Sequence, residues 1–256
     1  MDKIIIAIDG PSGTGKSLTA YYLSRKLGIT HIDSGAYYRA VTMQSLIADV
    51  KPNDYRGLCK VAMETELRFE NDNIFLGEEE ISSQIRKLDI TNKVSNVSRV
   101  NALRKIINDK LRKYGLENSL VMEGKNIGVD VFPEADFKFF IISDMKTRVA
   151  RRQQEFFDNE QIISKDKIER ELKLRDEIEK RRNPGILKKA NNAIIVDSTY
   201  MIVEEQVNHL YRIITNPDLF LKKPEEAVKA DKPVQKGKKP ELKNGKPDKK
   251  SKTGIN

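Results

Sequence analysis

The sequence predicts an α/β fold: a parallel five-stranded sheet flanked by helices. Three observations carry that reading. Five short apolar runs recur along the chain, helical patterns separate them, and the first run feeds directly into a glycine-rich turn. Unbroken apolar character suits strands buried on both faces, and helical crossovers join parallel neighbours with one hand.

In order, Lys3–Asp9 (KIIIAID) reads as the first strand and Lys16–Leu27 as a helix ended by Gly28. Thr30–Asp33 is a second short strand, and Gly35–Ala48 a helix stopped by Pro52. Leu67–Leu76 has the pattern of a hairpin turning at Asn71–Asn73. Helices are expected over Ser82–Ser95 and Arg99–Tyr114, the second closed by Gly115. Leu120–Glu123, Phe137–Ile142 and Ala193–Val196 complete the strands. Helices Lys146–Phe157 and Lys165–Arg182 lie between the last two strands, and Met201–Ile214 closes the fold. The stretch from about 35 to 115 is too long for one crossover and includes the hairpin, so it reads as an inserted subdomain.

Composition narrows the chemistry. A chain of 256 residues has room for one or two domains. A single cysteine, Cys59, excludes an internal disulfide framework or a cysteine-built zinc cluster. Two histidines, His31 and His209, are too few for a histidine-built metal site. The longest apolar run, Ile4–Ile8, falls far short of the ~20 residues a membrane helix needs. No charged and apolar leader pattern marks a secretory signal, so a cytoplasmic setting is expected.

The charge is unevenly spread. Of a net +9, the segment 216–256 carries +6, from 12 lysines against 6 acids. It holds five prolines and little to bury after Leu221, and so reads as a disordered Lys/Pro-rich tail behind a folded part at 1–215. Such a tail is either a non-specific electrostatic arm for RNA, DNA or acidic lipid or a solubilising extension.

The glycine-rich turn is the most informative segment. Gly10-Pro11-Ser12-Gly13-Thr14-Gly15-Lys16-Ser17 matches G-x-x-x-x-G-K-[ST], with Leu18 continuing the first helical turn. Glycines let successive N–H groups point inward at phosphate oxygens, and the helix adds its positive end. Lys16 then reaches the β- and γ-phosphates, and the Ser17 hydroxyl is placed for Mg²⁺. A strand before and a helix after favour this over a ligand-free glycine turn. The loop implies a nucleoside triphosphate without naming the reaction.

Downstream, Asp33-Ser34-Gly35-Ala36-Tyr37-Tyr38-Arg39 brings a carboxylate, a hydroxyl, an aromatic ring and a guanidinium to the carboxyl edge of the sheet. Asp33 either orients Mg²⁺ through water or caps the helix that follows. Arg175, Glu179 and Arg182 fall on one helical face, as do Arg148, Arg151 and Arg152. These are either solvated, salt-bridged faces or a lid of fixed positive charge around a transferring phosphoryl group.

With these segments in sequence order, the chain resembles the bacterial cytidylate kinase family, P-loop nucleoside monophosphate kinases that move the γ-phosphate of ATP onto CMP. Besides GPSGTGKS and DSGAYYR, the resemblance rests on Ile85-Arg86, Val94–Ser98 with Arg104, Glu123–Pro133, Arg175-Asp176 with Glu179 and Arg182, and Val196–Thr199. It implies the nucleoside monophosphate kinase fold, with an acceptor-binding insert at about 35–115 and lid helices at about 146–183. It implies ATP and CMP or dCMP as substrates, Mg²⁺ as cofactor, and a monomer. Ser34, Tyr38 and Arg39 would hold the acceptor's ribose-phosphate, and Ser95, Arg104 and Asn126 would meet the cytosine edge. Lys125 would contact the α-phosphate, Arg175 and Glu179 the ribose hydroxyls, and Arg182 the transferring phosphate, with Asp176 partnering an arginine.

The chain departs from the family at three places. Gly124-Lys125-Asn126 replaces G-R-D, Val129-Asp130 replaces T-V, and Glu179 stands for aspartate. A carboxylate only accepts, which suits cytosine's amino group, whereas asparagine also donates. Relaxed base discrimination, with UMP accepted beside CMP, is therefore expected. A different monophosphate kinase and a nucleotide-dependent RNA-binding protein acting through its tail are the other readings.

Overall fold

The computed structural model describes residues 3–70, 73–158, 161–181 and 187–218, with backbone alone at 88 and 178–181. Much of the expected tail, Arg182, the side chain of Glu179 and the tip of the hairpin at 71–72 lie outside the described residues.

A five-stranded sheet in the order β2-β6-β1-β7-β8 organises the molecule. Its strands are β1 (Ile5–Asp9), β2 (Thr30–Asp33), β6 (Leu120–Gly124), β7 (Phe137–Ile142) and β8 (Ile194–Asp197), and every pairing is parallel. Alternation within β1 explains why it reads as continuously apolar. Ile5 and Ala7 face one core with Leu120 and Met122, while Ile6 and Ile8 face another with Val121, Phe139 and Ile141. On the second face pack α1 (Lys16–Leu27) and α8 (Val203–Thr215), contributing Ala20, Leu23, Val207, Leu210 and Ile213.

The first face carries α2 (Ser34–Ile47), α3 (Tyr55–Glu64), α4 (Leu88–Val97) and α5 (Asn101–Glu117). Beside them, β3 (Leu67–Glu70), β4 (Asn73–Leu76) and β5 (Glu79–Glu80) form a separate antiparallel sheet. Helices α6 (Met145–Asp158) and α7 (Lys165–Arg181) pack on each other through Val149, Phe156, Ile168 and Leu172.

Three local expectations give way here. The helix expected over Ser82–Ser95 is a 3-10 turn at Gln84–Arg86 followed by α4, because Lys87 at φ −57°, ψ 149° breaks the run. Gly115 does not end α5, which continues to Glu117; it is a glycine because the Phe132 ring occupies the space a Cβ would need. Helix α3, not foreseen, is amphipathic with Leu58 and Ala62 buried, and the Asp54 carboxylate accepts from the Gly57 N–H at 2.9 Å to cap it.

Candidate active site

Strand β1 is central, so its carboxyl end opens between the ends of β6 and β7, where ligands of open α/β sheets bind. The loop 10–17 leaves from that point. Gly10, at φ 149°, lies so close to β7 that any Cβ would strike the Ile141 carbonyl. Gly13 and Gly15 also take positive φ, at 81° and 91°, which coils the loop over the start of α1.

Lys16 is buried, and its ammonium donates to the Pro11 carbonyl at 2.9 Å. Burial lowers its pKa, opposed by the charges of Glu123 and Asp9. Ser17 donates its hydroxyl to Glu123 Oε1 at 2.7 Å. Leu18, next along, is exposed.

Two carboxylates that sequence reading passes over stand beneath the loop. Asp9 accepts from the backbone N–H groups of Ile127 and Gly128 at 2.7 and 2.9 Å. Burial pushes its carboxyl up to about 6, against those hydrogen bonds. Burial, reinforced by the charge of Asp33, pushes Glu123 up to about 7. Each ends an apolar strand, so on sequence alone each reads as a strand terminus. An acid at the carboxyl end of a buried parallel strand beside a glycine-rich turn was the available signal.

Asp33 occupies the N-cap of α2, but its carboxylate makes no cap bond. It turns instead to Arg39, which donates to it. Burial alone would raise its pKa; Arg39, through charge and hydrogen bond, holds it below the ordinary range. Arg39 Nε is buried without a hydrogen-bond partner among the described residues. Ser34 is buried, with its hydroxyl against Gly124.

The arginines expected to form a lid divide. Arg148 donates from Nε to the Ser12 carbonyl at 2.7 Å and from both Nη atoms to Asp176. Arg151 donates to the carbonyls of Thr14, Ser198 and Met201 and to the Ser198 hydroxyl. Arg152 pairs with Glu155 at 2.6 Å and lies over the Phe156 ring. Arg175 on α7 is half-buried; burial, reinforced by the charge of Arg152, lowers its pKa.

The Arg104 guanidinium lies over the Tyr38 ring, 5.7 Å from its centroid, and 3.7 Å from Asp130. Asn126 takes φ 65° and is buried. Its amide donates to Asp130 Oδ2 at 3.1 Å, and its carbonyl oxygen accepts from the Lys188 N–H at 2.6 Å. Ser95 sits half-buried on α4, and Lys125 half-buried after β6.

A family model described as cytidylate kinase matches residues 6–216. The chain belongs to the cytidylate kinase family. Among relatives named cytidylate kinase, one from Clostridioides difficile is 36% identical over 82% of this chain and 97% of its own. Others from Cytophaga hutchinsonii and Acholeplasma laidlawii are each 37% identical, over 83% and 82% of this chain and 94% of theirs. The cytidylate kinase match spans the loop, both unforeseen carboxylates, α6, α7 and α8, so all the residues just described lie inside it. No helix among the described residues is long and apolar enough to cross a membrane.

Proposed function

We propose that this chain transfers the γ-phosphoryl group of ATP to CMP and dCMP, giving ADP and CDP or dCDP. The observation that carries the reading is the convergence, in a member of this family, of Lys16, Arg148 and Arg151 on one phosphate-type loop. Residues 10–18 would hold the triphosphate, with Lys16 leaving the Pro11 carbonyl for phosphate oxygens. The Ser17 hydroxyl and the Glu123 carboxylate form a hard-oxygen pair that fits Mg²⁺. Ser17 would hold the ion, with Glu123 and Asp33 within reach of its waters; when bound, Mg²⁺ neutralises charge on the β- and γ-oxygens. Among the described residues no cluster of three metal-ligating side chains exists, which suits an ion held largely by phosphates and water.

The acceptor's α-phosphate is ionised near pH 7 and is itself the nucleophile, so no general base is needed. Its oxygen bonds to the γ-phosphorus as the bond to ADP breaks. Ser34, Tyr38, Arg39 and Lys125 would hold the acceptor's ribose-phosphate, with Arg39 released from Asp33 to meet it. Ser95 and Arg104 would frame the base, with Asn126 at the head of the turn Ile127–Val131 beside them. Arg175, with Glu179 and Arg182, would bind the ribose and the transferring group, and Arg148 and Arg152 would add fixed positive charge. Residues 1–215 would form the catalytic unit, with 35–115 receiving the acceptor and 146–183 closing over the donor. A cytoplasmic monomer fits, since every arginine invoked lies in one chain.

A panel of nucleoside monophosphates with ATP and Mg²⁺, read by chromatography, tests this. CDP is the expected product, and Lys16→Ala should lower kcat by about 10²–10³-fold. No conversion of any monophosphate by a protein that binds ATP would reject the proposal.

A further inference from the structure

We infer that Asp130 is the residue by which this chain selects an acceptor base carrying an amino group, a role that rests on the kinase reading above. Asn126 stands first among the side chains near Arg104 that could fill that role. One of its amide hydrogens is held by Asp130, its amide oxygen holds the Lys188 N–H, and it is buried. To face a base it would have to break two hydrogen bonds and strand their partners.

Asp130 is placed differently. Its side chain is 35% exposed, the Arg104 guanidinium lies 3.7 Å away, and the Asn126 amide donates to the same oxygen. The turn that carries it, Ile127–Val131, is fixed from several directions. Asp9 holds the N–H groups of Ile127 and Gly128, and Arg112 donates to the carbonyls of Asp130 and Val131. The Asp130 N–H also donates to the Asn126 carbonyl at 2.7 Å. A carboxylate held this firmly can discriminate, because a mismatched ligand cannot push it aside cheaply.

A line of contacts also leads from the glycine-rich loop to Asp130. Ser17 meets Glu123, Asp33 pairs with Glu123 across β2 and β6, and Asp33 binds Arg39. Tyr38 precedes Arg39 on α2, Arg104 covers Tyr38, and Asp130 meets Arg104. A nucleotide laid along that line with its phosphate at Arg39 brings its base to Arg104 and Asp130. The Watson–Crick edge of cytosine presents two acceptors, O2 and N3, and one donor, the 4-amino group. A guanidinium beside a carboxylate matches that pattern. Uracil offers an N3–H donor and an O4 acceptor, which set donor against donor and acceptor against acceptor. Asp130 thus returns to the site the acceptor-only group that Asn126 lacks, and the expected acceptance of UMP does not follow.

The test is kcat/KM for CMP and for UMP in the full-length wild type and in Asp130→Asn, with the thermal midpoint as a folding control. The wild type should prefer CMP by about 100-fold or more, and Asp130→Asn should shrink that ratio by about 10- to 100-fold, chiefly through KM for CMP. A purely structural Asp130 would lower both efficiencies together and leave the ratio alone, which overturns the inference. Asp130→Ser, which needs no more space, repeats the measurement should Asp130→Asn fail to fold. A wild type that phosphorylates CMP and UMP equally also overturns it while leaving the kinase reading intact; a wild type that converts neither defeats both.

Discussion

Arg148 and Asp176 join α6 to α7 through two parallel hydrogen bonds of 2.7 and 2.8 Å, while the same guanidinium donates to the Ser12 carbonyl. One side chain therefore links both α6 and α7 to the glycine-rich loop. The fork is planar and rigid, and only arginine can make all three bonds at once.

That link has a measurable signature. Arg148→Ala should cost about 3 kcal/mol of stability, because it leaves a carboxylate and a carbonyl without their donor, and should lower kcat by about 10²-fold. Asp176→Ala should cost less. In a double-mutant cycle the pair should show coupling of at least about 1 kcal/mol by urea unfolding. Additive effects would mean that the two helices are held together by Val149, Phe156, Ile168 and Leu172 alone.

Arg151 and Arg152 are neighbours in sequence with opposite expected phenotypes. Arg151 satisfies carbonyls of Thr14, Ser198 and Met201. Arg151→Ala should destabilise by about 2–3 kcal/mol through those stranded acceptors. Arg152 makes a half-exposed pair with Glu155. Arg152→Ala should change stability by less than about 1 kcal/mol yet lower turnover, since its charge acts on Arg175. Thermal melts and steady-state kinetics on both variants decide the matter; the reverse ranking would exchange their roles.

The buried carboxyls make stability depend on pH in a defined direction. Asp9 and Glu123 are raised by burial to about 6 and about 7, whereas in an unfolded chain both titrate near 4. From about pH 4 to pH 7 the folded chain holds more protons than the unfolded one, so stability falls as pH rises. Their contribution is complete below about pH 4 and lost as pH passes through these raised values. The urea midpoint of the ligand-free protein should therefore decline from about pH 5 to pH 8, and Glu123→Gln should flatten the decline. A slope unchanged by that substitution would show that other groups set it. Asp33 works the opposite way, since Arg39 lowers it, but only below about pH 4.

Gly10→Ala should be among the most damaging small substitutions. It demands a side chain at φ 149° and drives a Cβ into the Ile141 carbonyl of the adjacent strand. A loss of at least about 2 kcal/mol in urea unfolding is expected, together with loss of ATP binding by calorimetry. A variant that binds ATP normally would mean that β7 yields more easily than its burial suggests.

Much of this was legible in the amino-acid sequence because its signals are local. The turn after Asp9 announces itself through glycine spacing, and the end of α1 at Gly28 takes φ 68°, the left-handed closure that glycine there implies. The inner strands β1, β6 and β7 show as apolar runs because both faces of each are covered, whereas the edge strands β2 and β8 leave Thr30 and Ile195 exposed. What stayed hidden depends on partners far away in sequence. Glu123 meets Ser17, and Asp9 meets Ile127 and Gly128, across more than a hundred residues. No periodicity encodes such pairings. Lys87 escapes notice for another reason: lysine is a good helix former, so nothing in its identity marks the break before α4. The engagement of Asn126 with Lys188 is equally silent, because asparagine looks the same whether its amide is committed or open.

The phosphate loop, finally, is walled by residues translated long after it. A Cβ at Gly13 would touch Arg148, and one at Gly15 would touch Gln206, which also accepts from the Thr19 hydroxyl at 2.8 Å. A ribosome that has delivered only the first half of the chain has made the loop without its enclosure. Nucleotide should therefore exert no pull on the nascent chain until α8 has emerged, and from then on it would favour the finished domain over every shorter intermediate.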